Sequence, residues 1–199
     1  HTDSPGFKLK PQPSAYAFGF AQAAMEVYGG PLLNSWLDRE FGLAGRVVLR
    51  SGEVRLVRTP AWLRIPQLAP HLDRSVNDAL RLDRQAHLKP IYATGAGDLL
   101  AAVGAAAGVG SDEIDGFDLF SAVSEAPAVI GLGQEFLASA RLDNLSSVHA
   151  GLTAFLAAPA SDQVQVLACF DHEEIGSDSR SGAAGPFLED VLTRISEAL

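Results

Sequence analysis

The stretch VLACFDHEEIGSDSRSG, residues 166–182, begins as an apolar run, turns abruptly acidic and ends in glycine and serine. With DQVQ ahead of it, the run predicts a strand that stops at Phe170. On its N-terminal side, ARLDNLSSVHAGLTAFLAA places Leu145, Val148, Leu152, Phe155 and Leu156 on a helical stripe, with Asn144 or Ser146 to cap its start. On its C-terminal side, GPFLEDVLTRISEAL puts Pro186 at a first helical position and Phe187, Val191, Leu192, Ile195 and Leu199 on one face. Helix, strand, loop, helix predicts an α/β arrangement for this third of the chain.

Farther back the pattern changes. GRVVLRSGEVRLVRTP alternates through Val47 and Leu49, breaks at Ser51-Gly52, and alternates again through Val54 and Leu56, which predicts a hairpin. Pro60, Pro66 and Pro70 exclude a long helix or a central strand after it. HLKPIYATG reads as a strand, GDLLAAVGAAAGV as a short helix, and DEIDGFDLFSAVSEAPAVIGL as one or two strands. FKLK reads as an element edge before a loop, and AYAFGFAQAAMEVYGG is ambiguous. The chain therefore reads as two-part, with a β-rich middle and an α/β end.

Composition narrows the partners. A net charge of −9 excludes a broad basic face for nucleic acid. The longest apolar-and-small run, residues 99–109, is too short to span a bilayer, and no stretch reads as a signal peptide. One cysteine, Cys169, permits no internal disulfide, which fits a reduced, cytoplasmic setting; its place in the apolar run predicts burial. The chain begins at His1 without Met, so a piece of a longer polypeptide is expected.

In open α/β sheets ligand sites gather beyond the carboxyl ends of strands, which is where Asp171, Glu173 and Glu174 fall. Adjacent carboxylates resist ionising together unless a cation offsets them. In extended chain, successive side chains point to opposite sides, so Glu173 and Glu174 are expected to divide their work. One binds a cation, and the other takes a proton from water on that cation. HTDS sets His1 and Asp3 on one side of an extended segment, where Asp3 serves as a ligand or orients the imidazole. Asp143 lies just ahead of a helix. Imidazole plus carboxylates suits a borderline divalent metal such as zinc.

Taken in order, HTDSP, YGG with SWLDREFGLAGRV, RTPAWLRIPQLAPHLDRSVN, ARLDNLSS and CFDHEEIGSDS resemble the aspartyl aminopeptidase family of two-metal exopeptidases. The resemblance covers most of the chain. It implies zinc, two ions per site, with His1 as a ligand of the first, Asp143 bridging the pair and Glu174 a ligand of the second. Asp3 would orient His1, and Glu173 would be the general base. His71, in APHLDRS, would reach a neighbouring subunit's site and help stabilise the oxyanion. The family usually has Asn where this chain has His172.

The implied substrate is a peptide with a free N-terminus, its first residue acidic in family members of this name and neutral in relatives. The implied fold is a catalytic α/β domain, residues 1–12 and 120–199, interrupted by a β-rich dimerisation domain, residues 13–119. The implied assembly is a homo-oligomer, dimer-based, with a shell of twelve subunits. The family also carries a further Asp ligand and a further His ligand in later segments. After Glu174 no histidine occurs, and Glu189, Asp190 and Glu197 read as a helix's polar face. Two other readings stay open: a catalytically degenerate oligomerisation module of the same fold, and a metal-dependent hydrolase of another bond.

Overall fold

Phe41, Leu43, Val47 and Leu49 share one parity, which sets them on one face of an extended chain. In the structure, a computed structural model that describes residues 1–198, all four are buried on strand β3 (Glu40–Leu49). The chain divides into two compact units, Gly6–Glu125 on the one hand and His1–Pro5 with the chain from Ala126 onward on the other.

The first unit is a closed antiparallel barrel. Its strands are β1 (Gly6–Ala17), β2 (Phe20–Tyr28), β3, β4 (Val54–Arg58), β5 (Leu63–Arg64), β6 (Ile91–Thr94) and β7 (Ile114–Val123). The order β3-β5-β6-β2-β1-β7 closes because β7 pairs back onto β3, from Phe41↔Val123 to Leu49↔Ile114. β4 pairs with the later part of β3 through the predicted hairpin, Val48↔Val54 to Ala44↔Arg58, with Gly52 at positive φ in the turn. Closure pairs both edges of this six-stranded ring, while β4 extends from β3, its one strand partner among the described residues.

Inside, Phe7, Trp36 and Phe41 pack together, with Trp36 edge-on to Phe7 at 5.2 Å and to Phe41 at 5.3 Å between ring centroids. Gly45 sits opposite Leu119, and a Cβ there would lie 2.0 Å from the Asp118 carbonyl oxygen, so only glycine lets β3 and β7 approach. The helix α1 (Leu99–Ala107) buries Leu99 and Val103. Asp98 caps its start by accepting from the Ala101 N–H, and Gly108 in the left-handed region ends it.

Two readings of this unit change. FKLK is not an edge before a loop: β1 continues through Pro11 and Pro13, and its register against β2 shifts between Leu9 and Ser14. The prolines, which cannot donate to a ladder, fall in that shift. The ambiguous AYAFGF is the β1–β2 hairpin, turning at Phe18 and Gly19, both at positive φ. The boundaries expected after residues 12 and 119 fall inside β1 and β7. The units part instead after Pro5 and after Glu125, because both strands are hydrogen-bonded into the barrel.

The second unit holds the two-stranded sheet β8 (Ala128–Ile130) and β9 (Phe136–Ala138), and the helices α2 (Leu142–Ala157) and α3 (Phe187–Ala198). Leu199, expected on the apolar face of α3, lies outside the described residues. The predicted strand over 162–170 is not formed: among the described residues nothing ladders against it. Its backbone is tied to the rest of the unit at Phe170, whose carbonyl accepts from the Thr2 N–H at 2.7 Å. For the same reason Cys169 is exposed rather than buried. Among the described residues no helix is long and apolar enough to cross a membrane.

Candidate metal centre

Three separate segments of the second unit converge on the His1 imidazole. The first is the N-terminal segment itself. Asp3 is buried, and its Oδ1 lies 3.2 Å from His1 Nδ1, while the Asp3 carbonyl is 3.1 Å from the same nitrogen. With its proton on Nδ1, the ring donates to Asp3 and turns the lone pair of Nε2 outward. The other oxygen of Asp3 accepts from the Glu174 N–H at 3.1 Å. One carboxylate thus fixes both the imidazole and the backbone of the acidic segment.

The second segment is the start of α2. Asp143 and Asn144 have non-helical dihedrals, so regular helix begins only after them. Asp143 is therefore not a helix-dipole aspartate. Its side chain is 87% exposed, and its Oδ1 lies 3.1 Å from His1 Nε2.

The third segment is CFDHEEIGS. Sequence predicts extended chain here, with Glu173 and Glu174 on opposite sides. Instead Glu173–Ile175 form a single 3-10 turn, between His172 and Gly176 in the left-handed region. In a turn that tight, neighbouring carboxylates reach the same space. Glu173 Oε2 lies 3.5 Å from His1 Nε2, and His1, Glu173 and Glu174 offer donor atoms all within 4.8 Å of one another. Glu173 and Glu174 are therefore not separated by pointing to opposite sides, although their environments differ. Glu173 is mostly exposed. Glu174 is held above its ordinary carboxylate value by partial burial first, then by the charges of Glu173, Asp3 and Asp143. His172 fills its place because His, like Asn, tolerates the left-handed region; its Nδ1 bonds Ser179 Oγ at 2.6 Å within the same loop.

The donor set suits zinc in kind and in spacing. Ligand distances of about 2.0–2.2 Å in a tetrahedron put donor atoms roughly 3.4 Å apart. The 3.1 Å separation of His1 Nε2 and Asp143 Oδ1 is close to that figure, and a Glu174 carboxylate oxygen lies within 4.8 Å of the His1 donor atom. His71 is on the first unit, exposed, in the proline-bounded segment that follows β5. Sequence reasoning left Thr2, Ser4 and Arg141 without roles, although HTDSP and ARLDNL contain them.

The family model described as aminopeptidase I zinc metalloprotease (M18) matches residues 1–199. The chain belongs to this family. Among curated M18 relatives, the probable M18 family aminopeptidase 2 of Streptomyces avermitilis is 52% identical over 204 residues, covering 98% of this chain and 47% of that protein. The protein of the same description from Azotobacter vinelandii is 45% identical, covering 98% of this chain and 48% of its own length. The chain thus spans about half the length of the curated relatives it matches. Among solved structures, the complex of Ape4 and Nbr1 superposes with a TM-score of 0.88 at 33% identity, covering 99% of this chain and 44% of that one. The mApe1 dodecamer of S. cerevisiae gives 0.78 at 29%, covering 100% and 48%. The α/β class and the strand-rich barrel of the M18 fold are thereby shared.

Proposed function

We propose that the protein carrying this chain is a zinc-dependent aminopeptidase with two ions per site. His1, through Nε2, Asp143 and Glu174 would hold the ions. The observation that carries this reading is the convergence of His1 Nε2 with Asp143 Oδ1 and Glu173 Oε2, at 3.1 and 3.5 Å, from three segments of the chain. When bound, zinc supplies Lewis acidity to the carbonyl under attack and to the attacking water alike.

The chain's residues do the rest. Asp3 keeps the His1 proton on Nδ1 and so keeps Nε2 available. Glu173 takes the water's proton and passes it to the leaving amine, a contribution typically worth about 10²–10⁴-fold. Its greater exposure suits a base that must meet water and substrate; the partial burial of Glu174 suits a ligand whose charge waits for a cation. The substrate is a peptide with a free N-terminus and an acidic first residue, carried over from the family resemblance. His71 reaches a neighbouring subunit's site and steadies the developing oxyanion. The dodecameric state in the name of the S. cerevisiae neighbour supports a dimer-based homo-oligomer.

Glu173→Gln in the full-length protein tests the reading. Zinc content stays at the wild-type value and turnover falls about 10²–10⁴-fold. Unchanged turnover removes Glu173 as the base. A full-length protein that takes up no zinc points instead to the degenerate assembly module. Cleavage of N-terminally blocked peptides points to a hydrolase of another kind.

A further inference from the structure

We infer that Arg141 is a positioning residue for this centre: it fastens the segment bearing His1 to the turn bearing Asp143, an inference that rests on His1 and Asp143 being ligands. Arg141 Nη2 donates to the Thr2 carbonyl at 2.5 Å, and its Nε donates to Ser4 Oγ at 3.4 Å. Ser4 Oγ in turn donates to the carbonyl of Asp143 at 3.2 Å. The two attachments straddle Asp3, the residue that orients His1, and the third returns to Asp143 itself, two positions beyond Arg141. The result is a short closed loop of hydrogen bonds through both ligand-bearing segments.

Two further observations give the loop a purpose. Arg141 lies in the left-handed region, at φ 63° and ψ 23°, a conformation that long side chains seldom adopt and that turns its guanidinium back on residues 2–4. Thr2 is also fixed from its other side, its N–H and Oγ1 both donating to the Phe170 carbonyl, three residues before Glu173. The His1 segment is thus pinned between the other two. A planar guanidinium reaches two acceptors at once in a fixed geometry, which a lysine ammonium does not.

Charge and position predict opposite signs for removing Arg141. A cation beside a dication site repels the metal, so charge alone has Arg141→Met bind zinc more tightly. Positioning has it bind zinc more weakly. The experiment uses the full-length protein with Arg141→Met, Arg141→Lys, Ser4→Ala and the Arg141→Met/Ser4→Ala double variant. Zinc affinity is measured by competition with a chromophoric chelator, the absorption spectrum is recorded with Co²⁺ in place of zinc, and crystal structures are compared with and without metal.

Expected are an affinity loss of about 10-fold or more in Arg141→Met, in the range of residues that orient metal ligands, and a shifted Co²⁺ spectrum. The separation of His1 Nε2 and Asp143 Oδ1 widens beyond 3.1 Å. Arg141→Lys does not restore the wild-type values, Ser4→Ala shows a smaller loss, and the double variant is no worse than Arg141→Met alone. Tighter zinc binding in Arg141→Met, or unchanged affinity with unchanged separation, overturns the inference. Should Arg141→Met fail to fold, Ser4→Ala with wild-type affinity and separation overturns it equally. A wild-type protein that takes up no zinc defeats the earlier reading instead, and the separation in the metal-free crystals still decides the part played by Arg141.

Discussion

Within residues 1–198, the barrel and the unit that carries the candidate metal centre handle apolar surface in opposite ways. The barrel closes on itself through β3 and β7 and buries Phe7, Phe41, Leu43, Val47, Leu63, Ile65 and Leu119 almost completely. In the other unit α2 and α3 have no buried residue among those described, and Leu152, Phe155, Val164, Leu192 and Ile195 face outward. That unit also holds a hydrogen-bonded knot of His1, Asp3, Asp143 and Glu174. Apolar burial is the main driving force of folding, and within residues 1–198 it is concentrated in the barrel, whereas the candidate ligands lie in the other unit. Stability and metal affinity should therefore respond to different substitutions.

The largest effect expected on stability is in the barrel. Phe41 is fully buried and meets two other rings, so Phe41→Ala leaves a cavity and costs about 3–5 kcal/mol. Denaturant unfolding of the full-length protein measures this, and zinc affinity of the folded variant stays at the wild-type value. Loss of zinc affinity in step with stability would dissolve the distinction between the units.

The reverse case is Asp3→Asn. The amide can accept from either His1 Nδ1–H or the Glu174 N–H, but its NH₂ faces the other donor. Zinc affinity is expected to fall about 10–100-fold, the range found when a ligand's orienting partner is lost. The unfolding midpoint of the barrel should not move. A variant that keeps wild-type zinc affinity would show that Asp3 does not orient His1.

The same contrast explains what the sequence disclosed. Barrel strands follow from local pattern: the alternation through Val47 and Leu49, the Ser51-Gly52 turn and the alternation through Val54 and Leu56 each lie within a few residues of what they specify. The ring closure of β7 on β3 pairs residues more than sixty positions apart, and no local pattern announces it. The long reach of β1 was hidden by Pro11 and Pro13, which argue against a strand unless a register shift absorbs them. In the other unit the residues of the candidate centre stood out as motifs, but their geometry did not. His1 meets Asp143 across 142 positions, and the tight turn at Glu173 depends on left-handed backbone at His172 and Gly176. The apolar run 162–170 looked like a strand because its composition is that of one; strand formation also needs a neighbour, and none is present among the described residues.

The smallest effect expected is a pH dependence, and it sets the acidic knot apart from the barrel once more. Unfolded, Glu174 titrates near its ordinary value of 4.5; folded and metal-free, it titrates higher, through partial burial and then the charges of Glu173, Asp3 and Asp143. Between those two values the native state holds more protons than the unfolded chain. Stability of the metal-free protein therefore falls as pH rises through that window. The contribution is complete below 4.5 and lost above the raised value. Zinc requires the ionised carboxylate, so its affinity runs the other way and strengthens as pH rises over the same window. Urea midpoints of the full-length protein in the presence of a chelator measure the first slope, and Glu174→Gln, which cannot ionise, should flatten it. An identical slope in Glu174→Gln would assign the pH dependence elsewhere and leave Glu174 without the strained charge that a cation would relieve.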